Sequence, residues 1–277
     1  MLKTRIITAI ILIAAFIPAL FLLSNRDWAY AMLAMALLAL YEWGGLIKLN
    51  NWQLAVYALV AAILGLITVP LITQLGFHWF FYKSLLIFFM VTFFWLLIVP
   101  IWLKTQWLVP YKIVMCLLGF ILILPLWLAL ICAKSADPWL LLALLATIWI
   151  ADSAAYFAGK NFGKHKLAPT ISPGKTWEGV LGALVAVTLF AAILYTGFGF
   201  NQLAIFPALW IITCLGVIGD LFESMMKRHA NLKDSSHLLP GHGGILDRID
   251  GIIPSLPIAI LMIYLYNYAS QFFAMAA

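Results

Sequence analysis

Charged side chains are scarce in this sequence: Asp, Glu, Lys and Arg together account for 9% of its 277 residues. Soluble globular domains carry about 25% charged residues, so an ordinary water-exposed surface is excluded. Hydrophobic residues make up 66% of the chain, and its mean hydropathy is +1.08. Apolar runs of about 20 residues, the length that crosses a bilayer, recur along the chain. We therefore predict an all-α polytopic membrane protein, since the short alternating segments of a transmembrane barrel are absent.

Nine of these apolar runs qualify as transmembrane helices. They lie near residues 5–23, 28–47, 53–73, 80–99, 112–132, 138–158, 177–196, 203–222 and 251–270. The first follows Lys3 and Arg5, as in a signal peptide. Its apolar run is too long for an ordinary signal sequence, and a small-residue cleavage site is not evident. We predict that it is a retained helix.

Basic residues are distributed unevenly between the two sides of such a bundle. With nine spans, the N-terminus and the loops after spans 2, 4, 6 and 8 share one side. That side holds 13 of the 16 Lys and Arg residues: Lys3, Arg5, Lys48, Lys104, Lys112, Lys160, Lys164, Lys166, Lys175, Lys227, Arg228, Lys233 and Arg248. Cytoplasmic loops are enriched in Lys and Arg, so we predict a cytoplasmic N-terminus. Binding of an anionic substrate by these loops would explain part of the same bias.

Cysteine is also rare, and its spacing indicates neither a metal site nor a redox motif. Cys116, Cys132 and Cys214 lie in apolar runs without a C-x-x-C motif, so we predict no zinc site. They are better explained as small apolar side chains. A Ser–His–Asp grouping is not visible either, which argues against acyl transfer.

Acidic residues divide the chain into two regions. Residues 1–150 contain only Asp27, Glu42 and Asp137, whereas the other seven acids lie between residues 152 and 250. A charge at the centre of a bilayer costs about 2.5–3.5 kcal/mol on insertion scales, so a group of them needs a reason. We predict that residues 1–150 form a scaffold with lipid and dimer contacts, and that residues 151–277 form the catalytic region.

The first polar motif is GDLFESMMKRHANLKD, which begins at Gly219. If the eighth span continues as a helix past Asp220, one face presents four polar side chains at positions i, i+4, i+7 and i+8: Asp220, Ser224, Lys227 and Arg228. A chance alignment on a solvated face explains this spacing equally well by itself. The neighbouring motif favours a functional site.

That neighbouring motif is GHGGILDRID, residues 241–250, where Asp247 and Asp250 flank Arg248. Its three glycines permit unusual backbone conformations and close approach to a ligand. Acids are favoured at a helix N-terminus, but that explains one acid and not a second acid beside an arginine. Asp247 and Asp250 should face the same way in the first turn of the ninth span. His242, within the glycine run, is a candidate substrate-binding residue.

The third polar motif, DSAAYFAGKNFGKHKLAPTISPGKTWEG, spans residues 152–179. Asp152 lies in an otherwise apolar helix, and Ser172 and Lys175 are available to phosphate. The segment is not a phosphate-binding P-loop, because Pro169 stands where that motif requires glycine. We predict an ordered turn before the seventh span.

Taken together, these residues favour metal-assisted phosphoryl or nucleotidyl transfer at the membrane surface. Carboxylates without cysteine or clustered histidine suit a hard cation such as Mg²⁺. Lysine and arginine suit phosphate oxygens.

The stretch from Ser224 to Asp250, SMMKRHANLKDSSHLLPGHGGILDRID, resembles the C-terminal motif of the phosphatidate cytidylyltransferases, also called CDP-diacylglycerol synthases. DSAAYFAG and SPGKTWEG resemble upstream stretches of that family. The resemblance implies that CTP and phosphatidate react to give CDP-diacylglycerol and pyrophosphate. It implies Mg²⁺ held by Asp220 and Asp247, a second, monovalent cation (K⁺), and a homodimer. We also predict a multi-pass protein of the inner membrane, with its active site facing the cytoplasm and no nucleic-acid partner.

On this hypothesis the remaining polar residues serve the phosphates or the cations. Lys227 and Arg228 hold the triphosphate or the lipid phosphate, and Asp250 completes the cation site or orients Arg248. Ser224 and Ser172 donate hydrogen bonds to phosphates, and Asp152 has a supporting role. The other substrate-binding candidates are Lys175, Arg248 and His242.

Three other functions are weighed against this one. A transporter would distribute its charges through several helices near the middle of the bilayer, whereas these gather near one side. The D-G-x-x-A-R pattern of CDP-alcohol phosphotransferases would start at Asp250 but fails at Pro254 and Ser255. A purely structural membrane protein explains residues 1–150 but not the acidic region.

Overall fold

The computed structural model describes residues 2–197, 202–241 and 243–276, most of which are helical. The elements in chain order are α1 (Leu2–Leu22), α2 (Asn25–Leu46), α3 (Asn51–Leu75), α4 (Phe77–Phe93), a π-helical segment (Phe94–Ile98), α5 (Val99–Thr105), α6 (Lys112–Ala136), α7 (Pro138–Phe162), β1 (Lys166–Ala168), β2 (Ser172–Thr176), α8 (Trp177–Gly197), α9 (Ile205–Ala230), α10 (Leu246–Ile249) and α11 (Ile252–Ala276). The prediction of an all-α polytopic membrane protein is confirmed.

Eight segments of the described chain are long and apolar enough to cross a membrane, and they correspond to predicted spans 2 to 9. They are Asn25–Leu46, Asn51–Ile72, Tyr82–Thr105, Lys112–Ala136, Pro138–Phe162, Trp177–Gly197, Ile205–Ala230 and Leu246–Ala269. The first predicted span corresponds to α1, of which Ile7–Leu22 is a shorter apolar helix. The predicted ends are too short in places, since α9 continues to Ala230 instead of ending near residue 222.

The segment Tyr82–Thr105 crosses as one unit made of α4, the π-helical segment and α5. Pro100 lies at the start of α5 and has no N–H to donate to the preceding turn. The π-helical turn and the proline therefore interrupt the regular α-helical hydrogen bonding at the same place, and both are known causes of helix irregularity.

A two-stranded antiparallel hairpin, β1 and β2, stands before α8, with Lys166 opposite Thr176 and Ala168 opposite Ser172. The sequence predicted only an ordered turn here, so the hairpin is an addition. Thr176 ends the hairpin, and its hydroxyl accepts a hydrogen bond from the Gly179 N–H at 3.1 Å. The hairpin therefore runs directly into α8, with Lys175 one residue before the junction.

Hydrogen bonds from tryptophan side chains connect α2 with α6. Indole N–H groups donate to main-chain carbonyls of the facing helix: Trp28 to Leu130 at 3.1 Å, Trp127 to Ala29 at 3.0 Å, and Trp43 to Met115 at 2.8 Å. A buried indole N–H needs such a partner. Because bonds run in both directions along the pair, α2 has little freedom to slide or rotate against α6.

The helices α9 and α11 approach each other closely at Gly219. A Cβ atom there would lie 2.8 Å from the Pro254 ring and would also collide with the carbonyl oxygen of Asp250. Only glycine permits this contact. The Ser255 hydroxyl lies 3.0 Å from the Ile212 carbonyl oxygen, which further ties the start of α11 to α9.

Contacts between loops show which loops share a side of the bundle. On one side, Lys112 Nζ donates to the Lys48 carbonyl at 2.5 Å, Gln106 Nε2 to Thr170 Oγ1 at 2.8 Å, and Thr8 Oγ1 to the Pro240 carbonyl at 3.1 Å. On the other side, Lys134 Nζ donates to the Leu23 carbonyl at 2.9 Å. The loops after spans 2, 4, 6 and 8 therefore lie together, near the beginning of α1.

Candidate active site

Charged side chains from three elements and from the break after α10 converge between α7 and α9. Asp152 comes from α7, Lys175 from β2 and Asp220 from α9, while Asp250 directly follows α10. Asp152 and Asp220 each precede the end of their helix by ten residues, which is about 15 Å at 1.5 Å per residue. The cluster is thus recessed below the helix ends and does not lie in the loops themselves.

The first half of the site is organised around Asp220. Lys175 Nζ lies 2.7 Å from Asp220 Oδ2, and the Ser224 hydroxyl donates to Asp220 Oδ1 at 3.2 Å. The negative charges of Asp152 and Asp250 both interact with Asp220 and with Lys175. Three carboxylates therefore repel one another around a single lysine.

The second half of the site is organised around Asp247. Lys227 Nζ lies 2.6 Å from Asp247 Oδ1 and also contacts the Glu223 carboxylate one helical turn earlier. The main-chain N–H groups of Gly244 and Ser235 donate to Asp247 Oδ2 at 2.7 and 3.0 Å. Asp247 is therefore held by one cation and by backbone donors of the loop that precedes it.

The donor chemistry of these residues fits a divalent cation. Five acids interact with three basic residues, which leaves an excess of two negative charges: Asp152, Asp220, Glu223, Asp247 and Asp250 against Lys175, Lys227 and Arg248. Both Glu223 oxygens are buried; Oε2 is ion-paired with Lys227, whereas Oε1 has no hydrogen-bond partner among the described residues. A buried carboxylate oxygen without a donor is costly, and carboxylate oxygens are the ligands that Mg²⁺ prefers.

The carboxylates do not form a closed ligand shell. Within the described part of the chain, no group of three or more His, Cys, Asp or Glu residues has the arrangement of a metal site. The reason is local: Asp220 is paired with Lys175, and Asp247 with Lys227. A cation that bound both aspartates would have to replace these lysines as their partners.

A polar cavity of about 500 Å³ opens beside Asp247. Its lining consists of Asp234, His237, Leu239, Pro240, Gly241, Gly243 and Arg248. The Arg248 side chain is exposed and its charge also acts on Asp152. The cavity is therefore connected electrostatically to the Asp220 half of the site.

Residues 3–266 match the model of the Cytidylyltransferase family. A phosphatidate cytidylyltransferase of Haemophilus influenzae is 36% identical over 93% of this chain and 96% of its own length. A phosphatidate cytidylyltransferase of Pseudomonas aeruginosa is 36% identical over 95% of this chain and 97% of its own. This chain belongs to the cytidylyltransferase family. It is therefore an enzyme, a nucleotidyltransferase, embedded in a membrane by its apolar helices.

The candidate site contains most of the residues predicted from sequence. Those that lie together in it are Asp152, Lys175, Asp220, Ser224, Lys227, Asp247, Arg248 and Asp250. Arg228 lies at its edge, where its guanidinium donates to the Ile171 carbonyl at 3.5 Å. Ser172, on β2, makes no hydrogen bond to the site within the described chain. His242 lies outside the described residues.

The structure adds detail to the predicted geometry of Asp247 and Asp250. Both act electrostatically on Glu223, but Asp247 is ion-paired with Lys227, whereas Asp250 also interacts with Asp220. They also precede the main helix of the ninth span, because α10 ends at Ile249 and α11 starts at Ile252. This break allows the two acids to turn toward different halves of the site.

Three residues that contact the candidate site or its loop were not predicted from sequence: Glu42, Glu223 and Ser235. Glu223 was visible as a neighbour of the polar face of α9. Glu42 is an acid within a long apolar run, and the insertion cost that identified Asp152 applies to it equally. No sequence pattern singled out Ser235, because its importance depends on the carboxylates that contact it in the folded protein.

Proposed function

We propose that this enzyme transfers the cytidylyl group of CTP to phosphatidate, giving CDP-diacylglycerol and pyrophosphate. The observation that carries the proposal is the position of the charged site, with a polar cavity lined by Arg248 and a mostly apolar depression lined by Ser153 next to its members. The relatives named phosphatidate cytidylyltransferase, aligned over nearly the whole chain, support the same substrates.

The lipid substrate has a suitable surface beside Asp152. A depression of about 430 Å³ runs along α7, and its lining is mostly apolar: Ala146, Trp149, Ile150, Ser153 and Ala154. Ser153 is adjacent in sequence to Asp152, which is itself exposed. Acyl chains would remain in the bilayer along α7 while the phosphate of the lipid reaches the charged cluster.

The nucleotide has a suitable cavity on the other side of the cluster. Arg248 lines the polar cavity, and Lys175 and Lys227 face the acids between the cavity and α7. Arg228 adds a cation at the edge of the site. Basic side chains in this arrangement can bind several phosphate oxygens at once.

The chemistry requires alignment more than proton transfer. The phosphate of phosphatidate is anionic at neutral pH, so its oxygen can attack the α-phosphorus of CTP without a general base. One P–O bond forms, and the P–O bond to the β-phosphate breaks, so that pyrophosphate leaves with its electron pair. Lys175, Lys227 and Arg228 stabilise the negative charge on the phosphates during this exchange.

Cations complete the proposed site. Asp220 and Asp247 would hold Mg²⁺, and Asp250 would hold a second, monovalent cation (K⁺) or orient Arg248. Bound Mg²⁺ supplies neutralisation of the charge that develops on the phosphate oxygens. With their carboxylates occupied in this way, Lys175 and Lys227 would be available to the substrates.

The cellular setting is proposed on the same basis. The Lys and Arg bias supports an N-terminus and an active site on the cytoplasmic side of the inner membrane. We propose a homodimer with CTP, phosphatidate and the lipid bilayer as its partners, and no nucleic acid. A single elution volume in detergent corresponding to one chain would contradict the dimer.

Two differently labelled nucleotides test the reaction directly. Purified enzyme in detergent with phosphatidate and Mg²⁺ should transfer label from α-³²P CTP into lipid, and label from γ-³²P CTP into pyrophosphate. Chelation of Mg²⁺ should stop both, and diacylglycerol should not replace phosphatidate. Label from γ-³²P CTP in the lipid would identify a kinase instead, and no labelled lipid would rule the proposal out.

A further inference from the structure

One buried acid of the N-terminal helices reaches the catalytic loop. Glu42 on α2 is only 2% exposed. Its carboxylate accepts hydrogen bonds from the Ser236 hydroxyl at 2.6 Å, the Ile245 N–H at 2.9 Å and the Leu246 N–H at 2.7 Å. The Ser235 hydroxyl lies 3.2 Å away. Every one of these partners belongs to residues 231–251, the loop and short helix that carry Asp247.

The partners of Glu42 are unusual for a buried acid. Within the described chain no Lys, Arg or His forms an ion pair with it. A buried carboxylate without a cation is tolerated only when several donors converge on it. The buried Glu42 carboxylate needs the hydrogen-bond donors that the loop provides in this conformation. In turn, the first N–H groups of α10 need an acceptor, which Glu42 provides.

Glu42 and Asp247 share one serine. The Ser235 hydroxyl lies 3.2 Å from Glu42 Oε2 and 2.9 Å from Asp247 Oδ2. Because a hydroxyl has a single proton, it donates to one carboxylate at a time. Neighbouring backbone N–H groups are divided between the same two carboxylates. The Gly244 N–H donates to Asp247, and the next N–H along the chain, that of Ile245, donates to Glu42.

The glycines of the loop fit the two carboxylates closely. A Cβ atom on Gly244 would collide with the Ser235 hydroxyl and lie 2.6 Å from both Glu42 oxygens. A Cβ atom on Gly243, whose φ is +81°, would lie 2.6 Å from Asp247 Oδ2. The loop is therefore folded around both acids, and a side chain at Gly244 would push Glu42 out of its position.

The helix that carries Glu42 is itself fixed. Trp43, the next residue, donates from its indole N–H to the Met115 carbonyl of α6 at 2.8 Å. Trp28 and Trp127 tie α2 and α6 together again further along. Glu42 thus links a rigid helix pair to this loop, in addition to the contacts that Asp247 makes with Lys227 and with the backbone of the loop.

We propose that Glu42 is a positioning residue for catalysis: by holding residues 235–246 it keeps Asp247, and with it Lys227, aligned with Asp220 and Lys175. It contacts neither the proposed substrates nor the proposed cations directly. The inference rests on the proposed cytidylyl transfer and adds a residue from the N-terminal half to that machinery.

The decisive variant is Glu42→Gln, which preserves size but turns an NH₂ group toward one of the backbone N–H donors. Displacing a catalytic group by about 1 Å can cost about 100-fold in rate, so kcat should fall by about that factor. The KM for phosphatidate should change less than about threefold, because the α7 surface is unaffected. The Mg²⁺ concentration that gives half-maximal rate should rise.

Hydrogen exchange provides a readout that does not depend on activity. In Glu42→Gln the amides of residues 235–246 should exchange faster, whereas those of α6 and of the middle of α9 should not change. Ser236→Ala, which removes one donor, should show the same pattern to a smaller degree. If Glu42→Gln cannot be purified as folded protein, Ser236→Ala and Gly244→Ala provide the same comparison.

Lys134→Met is the matched control. Lys134 is a buried charge in the same helical region, 5% exposed, and its hydrogen bonds go to Leu23 and Asn25 on the opposite side. The Lys134→Met substitution should lower thermal stability without changing hydrogen exchange in residues 235–246 or reducing kcat more than about threefold. A kcat of Glu42→Gln within about twofold of wild type, or uniformly faster exchange in both variants, would refute the positioning role. If wild type forms no CDP-diacylglycerol, the proposed function fails instead, and the exchange data still test the loop.

Discussion

At the residue scale, the two proposed metal ligands already have cationic partners, but in different surroundings. The Asp247 and Lys227 side chains are 6% and 13% exposed, whereas those of Asp220 and Lys175 are 35% and 22% exposed. A partly exposed ion pair contributes little to stability, whereas losing one partner of a buried pair is costly. Lys227–Asp247 therefore contributes to the fold, and Lys175–Asp220 is the pair more easily rearranged by a ligand.

We expect Asp220→Asn and Asp247→Asn each to reduce CTP-dependent lipid labelling at least about 100-fold, because each removes a charge that the proposed Mg²⁺ site needs. Both proteins should still insert in the membrane, as judged by their yield in washed membranes. Asp27→Asn, which changes an acid at the opposite end of α2, should retain activity. Near-normal turnover of either site variant would mean that its aspartate is not a metal ligand.

At the element scale, the short break between α10 and α11 determines the directions of the Asp247 and Asp250 side chains. The distance between Asp247 and Asp250 in sequence suggested one helical face, but α10 contains only Leu246–Ile249. The close contact of Gly219 with Asp250 and Pro254 fixes the chain after the break. Helix packing therefore directs Asp250 toward Asp220, while the loop directs Asp247 toward Lys227.

Gly219→Ala should disturb this contact. Its methyl group would overlap the Asp250 carbonyl and the Pro254 ring, so α9 and α11 must separate, and overpacking of this kind costs about 1–3 kcal/mol. We expect a lower thermal unfolding temperature, measured by tryptophan fluorescence in detergent, together with lower activity. Gly45→Ala is the control, since a Cβ atom there meets nothing within 4 Å, and alanine is about 1 kcal/mol better than glycine in a helix. Equal stability of the two variants would contradict the packing argument.

At the scale of the whole molecule, the loops on one side carry the basic residues and surround the mouth of the site. Contacts such as Gln106 to Thr170 and Thr8 to Pro240 bring segments from both halves of the chain together there. Exposed apolar side chains at every fourth position of α8 present a stripe to lipid: Leu181, Val185, Leu189 and Ile193. A soluble nucleotide and a bilayer lipid could therefore approach the same site from different directions.

Cysteine labelling tests the proposed orientation. In a variant without the three native cysteines, Lys233→Cys should react with a membrane-impermeant maleimide in inverted vesicles but not in intact spheroplasts. Ala136→Cys, at the opposite end of the bundle, should show the reverse. Labelling of Lys233→Cys from the outside would invert the proposed topology and put the site on the wrong side for cytoplasmic CTP.

Much of this architecture could be predicted from the sequence because its causes are local. An apolar run long enough to cross a bilayer forms a helix wherever it occurs, since every backbone group must be satisfied within the segment. Asp220 and Lys227 were identified because they share one face of a helix, Asp152 because it interrupts an apolar helix, and Asp247 because its motif resembles that of a known family. The β-hairpin before α8 was missed, because strands of three and five residues have too short a pattern to detect.

The sequence by itself determined the class of protein, the position of its spans and the identity of most charged residues in the site. Only the tertiary structure decided which of them pair. Lys175 lies 45 residues from Asp220, and Ser235 lies 193 residues from Glu42, so no local pattern links either pair. Such contacts depend on how α2, β2, α9 and α10 pack against one another, and packing is a property of all of these elements together.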